Sequence, residues 1–323
     1  MKLFLEGDLQ IHSTKSQYDN SSIHYEARKN YIDWVLNNPK LNNEDVTYIS
    51  LGDLYEHSVP DPRSVQLGVY YMSNLKCRLK IIIAGNHDYD RNKKSYSIDP
   101  LAEIKGVTIV KEFKKLTFAN SKIAILPYFY DFVYKDKGSM KEYYESLEGN
   151  YDFILHHFED ETQDFGSGKG IKLKLKGERI GGHIHVGGKG YLESPIPNKT
   201  SEMLEKRNVI LLDTSTKQKE LVELPDFLRF ETIDYPNDID NFNTNTYYTL
   251  SEVTDKEIAL NHYKEKYPNI HIKEVRKKSL RTFSDSEDEE KSVRTIKELW
   301  NDYKNNNKLD SNVAKIIENQ LHF

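Results

Sequence analysis

Five short islands in the first 185 residues carry side chains able to hold cations: Gly7-Asp8-Leu9-Gln10, Gly52-Asp53, Gly85-Asn86-His87-Asp88, His156-His157 and Gly182-His183-Ile184-His185. Asp8 and Asp53 offer anionic oxygens, Asn86 a neutral carbonyl oxygen, and His157, His183 and His185 imidazole nitrogens. Mixed oxygen and nitrogen donors suit a pair of divalent cations, and the imidazoles favour manganese, iron or zinc over magnesium or calcium. Asp53 is the candidate bridge, because a carboxylate reaching two cations offsets their repulsion at a separation of about 3.5 to 4 Å. Two such ions lower the pKa of a shared water, so hydroxide becomes available near neutral pH, and they also bind phosphoryl oxygens. His87 directly follows a ligand, where it can stabilise a pentacovalent transition state or protonate a leaving alkoxide.

The elements that must position these islands are short apolar runs. Leu3 to Leu5, Val46 to Leu51, Ile81 to Ala84 and Phe153 to Leu155 each precede an island and read as buried strands, so the ligand types fall at strand ends. In open α/β folds that edge is where active sites gather. Further strands are predicted at Val107 to Val110, Leu116 to Phe118, Ile123 to Leu126, Arg179 to Gly181 and Val209 to Asp213. Helices are predicted over residues 26–38, ended by Pro39, and over 64–80. The alternation to about Pro236 indicates a layered α/β domain, 1–236. Residues 237–282 follow as a small module with strands at Tyr247 to Val253 and Ile270 to Val275 around a helix near 255–266. An acidic linker, 283–291, separates it from 292–323, where Val293, Ile296, Leu299 and Trp300, then Val313, Ile316 and Ile317, recur at helical spacing. Two amphipathic helices beyond a mobile tether fit a docking arm for another protein.

The chain has 323 residues, of which 37% are hydrophobic, enough for a sizeable core. No stretch approaches a membrane span and no cleavable leader is visible, so a cytoplasmic location is expected. The single cysteine, Cys77, excludes an internal disulfide and a cysteine-based zinc site. A net charge of −5 does not announce a nucleic-acid binder. Two basic stretches are nonetheless candidates for contacting DNA phosphates, one with Lys169, Lys172 and Lys174, the other with Arg276, Lys277 and Lys278. Gly166-Ser167-Gly168-Lys169-Gly170 lacks the spacing of a phosphate loop and reads as a flexible loop.

The order Asp-x-Gln, Gly-Asp, Gly-Asn-His-Asp, His, Gly-His-x-His resembles the metallophosphoesterase (calcineurin-like) superfamily. Gly52-Asp53-Leu54-Tyr55, His157-Phe158-Glu159 and Tyr191-Leu192-Glu193-Ser194-Pro195 resemble its SbcD branch of double-strand-break repair nucleases, most closely the phage-encoded small subunit of a recombination endonuclease. The resemblance implies a layered β-sandwich core flanked by helices, a small α/β cap facing DNA and a C-terminal helical arm. It implies Asp8, Gln10, Asp53 and His185 around one metal, Asp53, Asn86, His157 and His183 around the other, and His87 as the catalytic histidine. It further implies two manganese ions, with magnesium less active, and 3′-to-5′ exonuclease and single-strand endonuclease activities on DNA. The same resemblance implies a homodimer through the helix near 64–80 and an SbcC-type coiled-coil ATPase gripped by the arm, in the host cytoplasm if the chain is phage-encoded.

Two positions leave alternatives. Most relatives carry Asp-x-His at the first island, where this chain has Gln10 and, two residues on, His12. Gln10 is preferred and His12 is the alternative, since residues two apart on a strand lie about 6 to 7 Å apart. His156 and His157 point to opposite faces of a strand, so one of them ligates; Phe158-Glu159 favours His157 over His156.

Overall fold

The computed structural model describes residues 1–15, 17–18, 22–133, 135–161 and 170–278. In chain order the elements are β1 (Lys2–Glu6), α1 (Ile23–Asn37), β2 (Val46–Ser50), α2 (Pro62–Asn74), β3 (Leu79–Ile83), β4 (Tyr89–Asp90) and β5 (Ser95–Tyr96). There follow β6 (Val107–Val110), β7 (Lys114–Phe118), β8 (Ser121–Leu126), α3 (Met140–Ser146), β9 (Asn150–His156) and β10 (Lys176–Gly181). The last are β11 (Asn208–Asp213), β12 (Lys219–Glu223), β13 (Arg229–Asp234), β14 (Thr246–Val253), α4 (Lys256–Lys266) and β15 (His271–Lys277).

Continuous apolar runs make strands buried on both faces. Leu3 and Leu5 face inward with Ile49, Leu51, Ile81 and Ile83, and meet Ile123, Ile125, Phe153, Leu155 and Ile180 of a second sheet. Phe4, Tyr48 and Ile82, the alternate residues, pack beneath Tyr31 and Val35 of α1 and Leu67 and Tyr71 of α2. The six-stranded sheet runs β12-β11-β1-β2-β3-β6 and the four-stranded one β10-β9-β8-β7. On the latter's outer face Ala124, Leu126 and Ile154 pack with Tyr144 of α3 and with Phe158 and Leu173. The result is the expected α/β layering, two sheets between helices. β1, β2 and β3 run parallel in one sheet and β8, β9 and β10 in the other, so each sheet gathers several carboxyl ends at one edge.

The structure departs from the sequence expectations at several points, of which three bear on how the domains are built. α2 ends at Asn74, not near 80: the Asn42 side chain accepts the Lys76 N–H at 2.6 Å and draws the chain into a loop holding buried Cys77, and Leu79 already starts β3. β12 leaves no strand signal in the sequence, because KELVE is an edge strand with little of it buried. The small sheet is three-stranded, β13-β14-β15, so Arg229–Asp234 pairs with residues 246–251 although its sequence continues the large domain. Its own core gathers Tyr248, Leu250 and Ile272 with Ala259 and Tyr263 of α4. No helix among the described residues is long and apolar enough to cross a membrane. The acidic linker and the arm residues Val293, Ile296, Leu299, Trp300, Val313, Ile316 and Ile317 lie outside the described residues, as does Lys169.

Candidate metal centre

Each island lies one to three residues past a strand: Asp8 after β1, Asp53 after β2, Asn86 after β3, His157 after β9, and His183 after β10. Asp8, Asp53 and His157 are buried and each offers a ligand atom within 4.8 Å of the other two. His157 Nε2 lies 3.2 Å from Asp53 Oδ2 and 3.1 Å from Asn86 Oδ1, and His183 Nδ1 lies 2.9 Å from the same Asn86 oxygen. Donors about 2.1 Å from one ion and at right angles to each other sit about 3 Å apart, so this spacing is that of ligands around a shared cation. His157 Nδ1 meets the Leu51 carbonyl at 2.7 Å, which leaves Nε2 as the nitrogen turned to Asp53 and Asn86.

The backbone is bent to bring these groups in. Gln10, Asp53 and His183 have φ of 48°, 49° and 78°, a left-handed region costly for side-chain-bearing residues and concentrated at functional sites. Gly52, at φ 113°, is needed both for its turn and for space, since a Cβ there would lie 2.1 Å from His157 Nδ1. A Cβ on Gly85 would lie 2.1 Å from Asp53 Oδ1.

The two carboxylates draw positive charge to this point, which without a metal is a proton on His157. Burial pushes the His157 imidazole down, but the Asp53 and Asp8 carboxylates outweigh it and hold it up at about 10. Burial raises Asp8, whereas for Asp53 the neighbouring His157 overrides burial and draws the carboxyl down. Buried Asp53 Oδ2 has the His157 imidazole close to it, at 3.2 Å, so this anionic oxygen and that nitrogen face the same point, where a cation would take the place of the shared proton. Asp88, raised to about 7 by burial and by Asp53, braces the centre: its Oδ2 accepts the N–H groups of Gly85 at 2.8 Å and Asp53 at 3.2 Å.

His185 is held from behind, its Nδ1 2.9 Å from Glu202 Oε1. Burial lowers this imidazole and the Glu202 contact more than restores it. Glu202 also accepts the Asn198 N–H at 2.7 Å, and the Asn198 amide donates to Gln10 Oε1 and, at 3.0 Å, to Glu56. Fully buried Arg28 binds the Leu9 and Gln10 carbonyls and Asn198 Oδ1. Gln10 is thus fixed through both backbone and amide. The alternative, His12, stacks on His24 with ring centres 4.5 Å apart, outside the Asp8, Asp53 and His157 trio; burial and Arg28 hold it neutral. His156 takes the opposite face of β9, packed on Phe158 and Tyr191.

His87 stands at the mouth of the centre. Its N–H donates to Asp53 Oδ1 at 2.8 Å, its Nδ1 meets the Glu56 carbonyl at 2.5 Å, and its Nε2 lies 3.9 Å from Asp53 Oδ2. Nδ1–H donating to a carbonyl leaves Nε2 for proton transfer. Of the DNA candidates, Lys172 and Lys174 are exposed and alternate with buried Ile171, Leu173 and Leu175, and Arg276, Lys277 and Lys278 are exposed on and beside β15. Sequence reasoning did not single out Glu202, Asn198, Arg28 or the bracing role of Asp88. For the first three the contacts are long-range, and the only local sign is a polar Asn-Lys-Thr-Ser-Glu stretch soon after His185.

A family model described as calcineurin-like phosphoesterase matches residues 1–187. No curated protein matches in sequence. Among solved structures, the chain is similar to an archaeal phosphodiesterase, at 15% identity and a TM-score of 0.34, over 69% of this chain and 100% of that one. It is also similar to a protein of unknown function from Aquifex aeolicus, at 18% identity and a TM-score of 0.28, over 54% of this chain and 89% of that one.

Proposed function

The chain belongs to the calcineurin-like phosphoesterase family, and from that premise we propose that this phosphoester hydrolase is a two-metal DNA nuclease. Asp8, Gln10, Asp53 and His185 would hold one ion, and Asp53, Asn86, His157 and His183 the other. The observation that carries the reading is the convergence of Asp8, Asp53 and Asn86 from the carboxyl ends of one sheet with His157 and His183 from those of the other, His87 beside them. The ions would supply an activated water and charge neutralisation at the phosphoryl group. The imidazole share of the ligands favours manganese over magnesium.

The chain's own groups do the rest. Asp53 is held by its left-handed turn and Asn86 by the Tyr130 hydroxyl on its carbonyl, so these ligands are positioned in advance. His87 Nε2 protonates the departing 3′ or 5′ oxygen, with Nδ1 anchored on Glu56 to hold the ring in place. A cavity of about 490 Å³ beside His87, lined by Arg91 and Tyr130 among others, supports a polymeric diester as substrate because it gives room beyond the scissile phosphate. The SbcC-type ATPase partner and the homodimer are carried over from the sequence resemblance; half-exposed Val69 and Tyr70 on α2 are what such a dimer would cover. The test is hydrolysis of 3′- and 5′-labelled DNA, beside bis-p-nitrophenyl phosphate and a phosphate monoester, with manganese, magnesium or EDTA. Manganese-dependent DNA cleavage is expected, with the product ladder giving polarity. Turnover of the small esters alone would refute the nuclease reading and favour a small-substrate phosphatase or phosphodiesterase.

A further inference from the structure

A cluster of aromatic rings stands beside the metal centre and has no part in it. Tyr130 and Phe132 stack nearly parallel, 13° apart with ring centres at 5.4 Å, and Tyr89 closes against both at 5.8 and 5.9 Å. The Arg91 guanidinium lies 4.3 Å over the Tyr130 ring and 5.9 Å from that of Phe132. Phe132 is 50% exposed, so part of its ring is open to a planar ligand. Arg91 is exposed and makes no ion pair with a carboxylate among the described residues, so its charge is open to an anion. The cluster is tied to the centre directly, because the Tyr130 hydroxyl donates to the carbonyl of Asn86 at 3.0 Å. Arg91, Tyr130 and His87 line the same cavity.

We infer that Phe132, Tyr130 and Arg91 form a stacking subsite for the nucleobase next to the scissile phosphodiester, an inference that rests on the nuclease reading. Planar aromatic faces accept any base, and a guanidinium over the rings adds a cation for the adjoining phosphate. No hydrogen-bonding side chain of the cluster is needed to read base edges, so the subsite favours a nucleotide over an abasic one without choosing among bases. The Tyr130 to Asn86 hydrogen bond sets the register, placing the stacked base at a constant distance from the ligand loop.

The test compares single-stranded oligonucleotides with and without a short abasic tract, in manganese, for the full-length wild type, Phe132→Ala and Phe132→Trp. The wild type is expected to show a KM about tenfold lower for the base-bearing strand, the size of one base–aromatic stack. Phe132→Ala should erase that difference with kcat unchanged, and Phe132→Trp should keep it. A wild type that treats the two strands alike, a Phe132→Ala protein that still separates them, or a Phe132→Trp protein that behaves as the alanine variant would overturn the subsite while leaving the nuclease reading intact. A wild type that hydrolyses bis-p-nitrophenyl phosphate but neither oligonucleotide would overturn the nuclease reading and the subsite together.

Discussion

Replacing Glu202 by Gln should weaken one metal ion and spare the other. The Glu202 carboxylate lies 2.9 Å from His185 Nδ1, with side-chain exposures of 4% and 20%, so the contact is little screened by solvent. A hydrogen bond to a charged group contributes about 1.5 to 3 kcal/mol, and a neutral amide keeps roughly half of that. The loss of about 0.8 to 1.5 kcal/mol corresponds to an ion weaker by up to about tenfold at a histidine whose outer partner is disturbed, within the usual range for such partners. Glu202 also anchors Asn198, which holds Gln10, so both routes reach the Asp8, Gln10 and His185 side of the centre. Asn86, His157 and His183 take none of these contacts. Calorimetric titration of metal-free protein with manganese should therefore show two binding events in the wild type, and in Glu202→Gln one event shifted by up to about tenfold with the other unmoved. Equal weakening of both ions, or no change in either with the fold intact by circular dichroism, would refute the reasoning.

Three further outcomes are expected. His87→Ala should keep both ions by titration while slowing DNA cleavage on the order of a hundredfold or more, as loss of a proton donor does; loss of an ion would make His87 a ligand instead. Glu6 is fully buried beneath the hydroxyls of Tyr31, Tyr48 and Tyr71, and burial outweighs those hydrogen bonds to raise it from 4.5 to about 7. A carboxyl raised in the folded state contributes stability that is complete below about pH 4.5 and is lost as pH rises through 7, an effect of about 3 kcal/mol. In EDTA, thermal melts should thus show the wild type losing more stability than Glu6→Gln between pH 5 and 8, and parallel curves would contradict this. Removal of residues 284–323 should abolish binding of an SbcC-type ATPase in a pull-down while sparing manganese-dependent cleavage of a short strand; full-affinity binding by the truncated chain would refute the arm's role.

Much of the site is legible in the sequence because its ligands follow features with strong local signals. Leu3 to Leu5 and Ile81 to Ala84 are buried on both faces, so they stand out as uninterrupted apolar runs, and the residues after them inherit a position at the sheet edge. Gly52 and Gly85 mark the turns because no larger residue fits against His157 and Asp53. Strand alternation likewise separates His157 from His156. What is not legible depends on residues distant in the chain. The end of α2 is set by Asn42, the hold on His185 by Glu202, and the pose of Gln10 by Arg28 and Asn198. β12 carries too little burial to leave a pattern, and β13 joins a sheet whose other strands come later.

The central claim is that the site formed where the strand ends of the two sheets meet performs phosphodiester hydrolysis, and Asp53 is its keystone, within reach of His157, His87 and the brace from Asp88. The most direct test is cleavage of a labelled single-stranded oligonucleotide in manganese by the wild type and by Asp53→Asn, which keeps the shape and removes the charge. The account predicts EDTA-sensitive cleavage by the wild type and a loss of a thousandfold or so in the variant, the scale of removing a principal electrostatic group. Cleavage by Asp53→Asn at the wild-type rate would contradict it.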